Sequence, residues 1–227
     1  MSFILLILGS YLLGSVPTAY LIARWTRGID IRQYGSGNVG ASNVLAVVSK
    51  KWAIPVTLFD LGKGMVMVWL AQLIGHSITP QIAVGLAAVI GHNWSVFLRF
   101  SGGRGMLTSL GVIFIFSPLL GLIVLVLSYL FAPFRQLSLG ALIALVSLPL
   151  LSWFLSQPLG IEERLPVTLG YLVILLIAML RRLTAPRTSV TDEVSRGELI
   201  INRLLFDRDI RDRKAWLSHT PEESSRA

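Results

Sequence analysis

Long apolar runs separated by short polar connections make up most of residues 1–182. An α-helix of about 20 apolar residues crosses the roughly 30 Å hydrocarbon core of a membrane, because each residue adds about 1.5 Å. Several of the runs are close to that length. We predict membrane-spanning helices at residues 3–23, 53–74, 82–98, 137–155 and 165–180.

Proline divides the apolar sequence at two places. Residues 107–131 are long enough for one span, but Ser117-Pro118 interrupts them and Arg135 follows soon after. Proline lacks a backbone N–H and breaks the helical hydrogen-bond ladder, so we predict two short helices that form a bent hairpin. Pro17 interrupts the first span in the same way. The predicted fold class is therefore all-α: a polytopic membrane helical bundle of about seven helical segments, with a simple six-span bundle as the alternative.

The distribution of basic residues predicts the orientation. The connection between the first two spans is the most basic, whereas residues 76–81 contain neither lysine nor arginine. Since loops rich in these residues stay on the cytoplasmic side, we predict an external N-terminus and a cytoplasmic C-terminus. Residues 1–182 would form a transmembrane domain and residues 183–227 a polar cytoplasmic tail. Within the tail, residues 198–216 alternate apolar and charged positions, which fits an amphipathic helix on the membrane surface or a solvated helix.

Composition narrows the function classes. Hydrophobic residues make up 54% of the 227 residues, and the net charge is +8. Ten basic and four acidic residues lie in residues 1–180, so the excess charge belongs mainly to the membrane loops. There it favours anionic lipid or phosphate, and nucleic acid is not an expected partner. The chain has no cysteine, and His76, His92 and His219 are far apart in sequence, so we predict neither a metal nor a cofactor.

Two glycine-rich stretches are the main candidates for chemistry. They are Gly35-Ser36-Gly37-Asn38-Val39-Gly40-Ala41-Ser42-Asn43 and Ser101-Gly102-Gly103-Arg104-Gly105, and both are predicted on the cytoplasmic side. Glycine lets several backbone N–H groups point into one concavity, and serine and asparagine add further donors. Such a surface suits a phosphate group. The alternative for the first stretch alone is a turn that only joins two helices.

Three ionisable residues lie inside the predicted spans. Asp60 and Lys63 are spaced to share one helix face, and His92 lies in the next span. Counted from the span ends, all three lie roughly 10 Å below the cytoplasmic surface. Charges inside a membrane are costly and indicate a functional role. The alternatives are that Asp60 and Lys63 only neutralise each other and that His92 is a core histidine bonded to a carbonyl.

Four motifs in order resemble the bacterial acyl-phosphate:glycerol-3-phosphate acyltransferases over roughly residues 5–140. They are Gly14-Ser15-Val16-Pro17, residues 28–32 leading into the first glycine-rich stretch, residues 59–64, and Gly91-His92 followed by the second stretch. The resemblance implies a multi-pass enzyme of the bacterial inner membrane in phospholipid synthesis. Such an enzyme transfers a fatty acyl group from acyl phosphate to glycerol 3-phosphate, giving lysophosphatidic acid and phosphate, without a metal.

The resemblance also implies site residues. The candidate catalytic residues are Ser36, Asn38, Ser42 and His92. The candidate substrate-binding and phosphate-binding residues are Gly35, Gly37, Gly40, Asn43, Lys63, Gly102, Gly103, Arg104, Gly105 and Ser138, with Asp60 and Glu198 as supporting residues. Acyl phosphate is already activated, so direct attack by the glycerol hydroxyl is simpler than an acyl-enzyme.

The chain departs from the family pattern at several positions. Ala46 stands where the family usually has arginine, Ser95 where it has proline and Arg104 where it has lysine. After the last span, Arg181-Arg182 replaces an Arg-His pair, and the asparagine that follows is missing. One alternative is therefore a catalytically impaired paralogue that binds phospholipid precursors or a partner enzyme. Another is an organic-phosphate transporter, but the internal repeats that would favour it are not found.

Overall fold

The computed structural model describes residues 3–186 and 189–218, and within them the secondary structure is entirely helical. Short 3-10 segments lie at Ile31–Gln33, Val96–Leu98 and Ser189–Glu193. The α-helices are α1 (Phe3–Ser15), α2 (Thr18–Arg27), α3 (Ala41–Val47), α4 (Lys50–Leu73), α5 (Ile78–Asn93), α6 (Met106–Phe116), α7 (Pro118–Leu130), α8 (Leu137–Phe154), α9 (Arg164–Leu183), α10 (Arg196–Phe206) and α11 (Arg213–Ser218).

The predicted spans are confirmed. Five segments of the described chain are long and apolar enough to cross a membrane: the broken helix α1–α2 (Phe3–Arg27), α4, Ile78–Leu98, α8 and α9. The break in the first span falls at Val16-Pro17, and α6 and α7 are the two short helices expected around Pro118. The chain is thus an all-α, multi-pass membrane protein. Its orientation in the membrane stays a prediction.

Ser117 organises the hairpin between α6 and α7. Its hydroxyl oxygen accepts from the backbone N–H of Leu120 (3.2 Å) and caps α7, which begins at Pro118. The same hydroxyl donates to the carbonyl oxygen of Leu159 (2.6 Å). Proline suits the first turn of a helix because its missing N–H would have no partner there. The hairpin is therefore a built turn between two helices, and a single kinked span does not form.

Glycines set the distances between the helices that carry the site. A Cβ at Gly14 would lie 2.2 Å from the carbonyl oxygen of Ala88, and one at Gly91 would lie 2.2 Å from that of Tyr11, so α1 and α5 touch backbone to backbone. Between α4 and α6, Gly64 and Gly111 make equally close approaches, to Thr108 and Leu61. Small residues allow such packing in membranes, where helices gain little from burying apolar surface.

The tail packs on the membrane helices. Helix α10 contacts α8 and α9. The predicted amphipathic stretch is divided into two helices, because α10 ends at Phe206 and Asp207 takes a left-handed conformation (φ 55°). Helix α3 begins at Ala41, inside the first glycine-rich stretch, and extends beyond it to Val47; the sequence analysis did not predict this helix. The division into two domains at residue 182 stays a prediction.

Candidate active site

The first glycine-rich stretch is organised around the side chain of Asn43, which is 2% exposed. Its Nδ2 donates to the carbonyl oxygens of Tyr34 (2.9 Å) and Asn38 (3.1 Å), and also to that of Ile31. Its Oδ1 accepts from the backbone N–H of Ser36 (3.1 Å). The amide of Asn43 is therefore used inside the stretch, and it shapes the loop from behind.

The second glycine-rich stretch lies directly against His92. The N–H of Gly103 donates to the carbonyl oxygen of His92 (3.0 Å). A Cβ at Gly103 would lie 2.1 Å from His92 Nε2, so only glycine fits here without displacing the imidazole. Arg181, which is 4% exposed, donates from Nη2 to the carbonyl of Gly102 (2.8 Å) and from Nε to that of Gly103 (3.0 Å). The stretch is thus fixed between α5 and α9.

Asp60, Lys63 and His92 form a buried polar cluster below the two stretches. Lys63 Nζ lies 2.8 Å from Asp60 Oδ1, and His92 Nδ1 lies 3.6 Å from the same oxygen. Lys63 Nζ also donates to the carbonyl of Val16 (3.4 Å), at the break between α1 and α2. The structure therefore brings together the three ionisable residues that were predicted to share one layer. A buried pair of opposite charges lowers the cost of placing either charge in the membrane.

An apolar cavity of about 470 Å³ opens beside this cluster. Apolar side chains form most of its wall, among them Leu45, Met106, Leu110, Val124 and Leu137. Its polar residues are Asn38, Ser42, Thr57, Asp60, His92, Arg104, Ser128, Tyr129, Ser138, Arg182 and Asp207. A cavity of this size and lining suits an apolar chain that ends in a polar group.

A second, basic cavity of about 320 Å³ lies over the glycine-rich stretches. Arg32 is part of its wall and donates to Asp30, with Nη2 2.6 Å from Oδ2, which holds the pKa of the Asp30 carboxyl below its usual range. Asn38, Arg104 and Asp207 line both the basic and the apolar cavity. We call these three residues the junction. Arg104 Nε lies 2.8 Å from Asp207 Oδ1, so an ion pair forms at the point where the cavities meet.

The predicted site residues fall into five groups. Lining the apolar cavity are Asn38, Gly40, Ser42, Asp60, His92, Arg104, Gly105 and Ser138. Lining the basic cavity are Gly35, Ser36, Gly37, Asn38, Gly102 and Arg104. Gly103, Asp60 and His92 line a small void of about 10 Å³, and Lys63 and Asn43 are buried behind the walls. Glu198 is exposed in the first turn of α10 and lines neither large cavity, so the structure does not bring it to the others.

Sequence reasoning missed the part of the tail that follows α10. Asp207, Arg208 and Asp209 line the basic cavity, and so does Arg203. Their alternating charges were the available signal, but we took them for the polar face of an amphipathic helix. The acidic groups of the tail at this cavity are therefore Asp207 and Asp209, and not Glu198.

The departures from the family pattern have structural counterparts. Ser95 donates its hydroxyl to the carbonyl of Ser15, which ties the end of α5 to the end of α1. Arg182 donates to the carbonyl oxygens of Leu204 and Ser138, so it joins α10 to the start of α8. Ala46 is exposed on α3, one helical turn after Ser42. Arg181 and Arg182 thus hold backbone groups in place.

Comparison with known proteins identifies a family model and relatives that match most of the chain. A family model described as glycerol-3-phosphate acyltransferase matches residues 4–187. Glycerol-3-phosphate acyltransferase 4 of Dehalococcoides mccartyi strain CBDB1 is 44% identical over 216 residues, which cover 95% of this chain and 93% of the relative. Glycerol-3-phosphate acyltransferase 5 of D. mccartyi strain ATCC BAA-2266 is 44% identical over 225 residues, covering 98% and 97%.

The fold agrees with solved structures. The crystal structure of PlsY (YgiH), an integral membrane glycerol 3-phosphate acyltransferase, in its glycerol 3-phosphate form matches with a TM-score of 0.74 and 32% identity. That match covers 93% of this chain and 96% of PlsY. The lysophosphatidic acid form of PlsY matches with a TM-score of 0.72 and 30% identity. The chain belongs to the glycerol-3-phosphate acyltransferase family.

Proposed function

We propose that this protein transfers a fatty acyl group from acyl phosphate to glycerol 3-phosphate in the bacterial inner membrane. The products are lysophosphatidic acid and inorganic phosphate, which feed phospholipid synthesis. The observation that carries the proposal is the junction, where an apolar cavity of about 470 Å³ meets a basic cavity of about 320 Å³. The reaction joins an apolar acyl group to a water-soluble phosphate ester, so it needs two such compartments with one meeting point.

The reaction needs no covalent intermediate with the protein. The hydroxyl oxygen of glycerol 3-phosphate attacks the acyl carbon, the bond from that carbon to the phosphate oxygen breaks, and the hydroxyl proton leaves with the phosphate. Because the anhydride is already activated, orientation and charge stabilisation supply most of the rate acceleration. Asn38 and Arg104 line both cavities, so we assign their donors to stabilising the developing negative charge.

The roles of the other candidate residues are assigned from the cavities that they line. Ser36 faces the basic cavity and Ser42 the apolar cavity, on either side of Asn38. We assign both to orienting the acyl phosphate. The imidazole of His92 lines the apolar cavity and is flanked by Asp60 and Gly103, so we assign it to the polar floor beneath the reacting carbonyl. The glycines of the second stretch would bring backbone groups close to the phosphate of glycerol 3-phosphate.

A transfer assay with purified protein in lipid nanodiscs tests the proposal. We expect lysophosphatidic acid to form from palmitoyl phosphate and glycerol 3-phosphate, and no product when palmitoyl-CoA replaces palmitoyl phosphate. A wild type that forms product only from palmitoyl-CoA would overturn the choice of donor. Binding of both substrates without product would instead favour the impaired paralogue, in which Ala46 marks a lost function.

A further inference from the structure

The segment after α10 is held firmly over the basic cavity. Arg203 donates from Nη1 to the carbonyl oxygens of Leu183 (2.8 Å) and Ala185 (2.9 Å), where α9 ends. It also pairs with Asp209, with Nε 2.7 Å from Oδ1. The N–H of Asp207 donates to the carbonyl of Arg203 (3.1 Å), which closes α10. Residues 207–209 are thus fixed against the end of α9, although they lie outside the residues 4–187 that the family model matches.

The charges that line the basic cavity do not cancel. Among the described residues, its wall contains five arginines and three aspartates, so two positive charges are left without a carboxylate. The three ion pairs are Arg32–Asp30 (2.6 Å), Arg104–Asp207 (2.8 Å) and Arg203–Asp209 (2.7 Å). A phosphate monoester carries close to two negative charges near neutral pH. The excess charge that the described residues give this cavity therefore matches that of one phosphate group.

The two unpaired cations differ in their free donors. Arg181 already donates to the carbonyl oxygens of Gly102 and Gly103. Arg208 is only 7% exposed, and its Nε has no hydrogen-bond partner among the described residues. Its guanidinium lies 5.1 Å from the centre of the Phe206 ring. A buried guanidinium donor without an acceptor is costly, because its lost contacts with water are not replaced.

The environment of Arg208 points to an anionic ligand. Burial lowers the pKa of Arg208, the nearby Arg213 adds to that effect, and the nearby Asp212 offsets part of it. An anion in the cavity would reverse both penalties. Arg208 lines the basic cavity alone, whereas Arg104 lines both cavities. A phosphate held by Arg208 therefore lies on the side away from the acyl chain.

We propose that Arg208 binds the phosphate group of glycerol 3-phosphate, so that the tail of the chain completes the substrate site. This inference rests on the proposed function. The acyl phosphate also carries a phosphate, but its acyl chain belongs in the apolar cavity, which Arg208 does not line. The ion pair with Asp207 keeps Arg104 at the junction, and Arg208 supplies the charge farther out.

The test compares Arg208→Gln with Arg211→Gln. Arg211 belongs to the same tail but is exposed and lines neither large cavity, so its replacement controls for loss of one positive charge. We expect Arg208→Gln to raise the KM for glycerol 3-phosphate roughly ten- to a hundredfold, because the substitution removes one charge-assisted hydrogen bond to the phosphate. The KM for palmitoyl phosphate should be unchanged, and Arg208→Lys should recover part of the loss. Arg211→Gln should match the wild type.

Other results would refute the binding of the phosphate group by Arg208. If Arg208→Gln and Arg211→Gln have the same KM for glycerol 3-phosphate, or if the KM for palmitoyl phosphate rises instead, the assignment is wrong. Thermal unfolding in nanodiscs identifies a variant that fails to fold, in which case Arg208→Lys alone carries the comparison. If the wild type transfers no acyl group, the proposed function fails. Calorimetric binding of glycerol 3-phosphate to wild type and Arg208→Gln then tests Arg208 independently, and equal affinities would refute it.

Discussion

Replacing Arg104 with alanine probes the junction most directly. Arg104 donates from Nε to Asp207 Oδ2 (3.0 Å) and from Nη1 to the carbonyl of Arg181 (3.2 Å). The substitution removes a guanidinium that lines both cavities and leaves the Asp207 carboxylate without its cation. The first loss removes a charge-assisted hydrogen bond worth about 1.5–3 kcal/mol.

The second loss adds repulsion. A carboxylate and a phosphate charge about 5 Å apart repel by about 3 kcal/mol at an effective dielectric constant of about 20, and solvent screening reduces that figure. We therefore expect kcat/KM for acyl transfer to fall by at least tenfold from the lost bond alone and by more when repulsion is included. The double variant Arg104→Ala/Asp207→Asn should recover part of the activity. Its second substitution removes the repulsion but does not replace the lost hydrogen bond of Arg104.

The measurement is acyl transfer in nanodiscs, with kcat and KM determined for each substrate. Lys50→Ala is the matched control, since Lys50 is exposed at the start of α4 and lines neither large cavity. An active wild type whose kcat/KM is unaffected by Arg104→Ala would refute the phosphate site at the junction. A double variant no better than Arg104→Ala would refute the repulsion.

Three further predictions concern the packing around His92, the buried ion pair and the orientation in the membrane. Gly103→Ala should abolish most transfer activity, because its Cβ would lie 2.1 Å from the adjacent imidazole, whereas Gly62→Ala, with open space around it, should match the wild type in the same assay. Asp60→Asn should lower the free energy of unfolding by about 3–5 kcal/mol, because it leaves the Lys63 charge buried and unpaired. Adding Lys63→Met should restore most of this loss. Equal stabilities of the single and the double variant would contradict a stabilising ion pair between Asp60 and Lys63. A cysteine in either glycine-rich stretch should escape a membrane-impermeant reagent in intact cells and one in residues 76–81 should react, and the opposite pattern would reverse the orientation.

The sequence predicts the membrane helices well because hydrophobicity and proline act locally. The breaks at Pro17 and Pro118 follow from a missing N–H, whatever surrounds it. Helix α3 was missed because seven residues in a polar, glycine-rich context give no clear period. The glycine-rich stretches were found as candidates because glycine content is visible without the fold.

The rest of the site depends on tertiary contacts. Nothing local distinguishes Arg181 and Arg208, since each is one arginine among several near the end of the chain. Their difference lies in what surrounds them: Arg181 meets two backbone carbonyl oxygens, and Arg208 Nε meets no acceptor among the described residues. The same applies to Glu198, which we expected to support the site but whose side chain is exposed on α10. Such distinctions require the packing of α10 on α8 and α9.

The glycine contacts between α1 and α5 and between α4 and α6 have a mechanical consequence. Each contact places a hydrogen atom against a backbone carbonyl, with no side chain between them that could change rotamer. A side-chain interface can absorb a small displacement by repacking, but a backbone interface transmits it undiminished. Lateral pressure or a change in bilayer thickness would therefore shift α1 with α5, and α4 with α6, as two rigid pairs. Asp60 and His92 lie in different pairs, so a movement of one pair against the other would act on the contact between these two side chains.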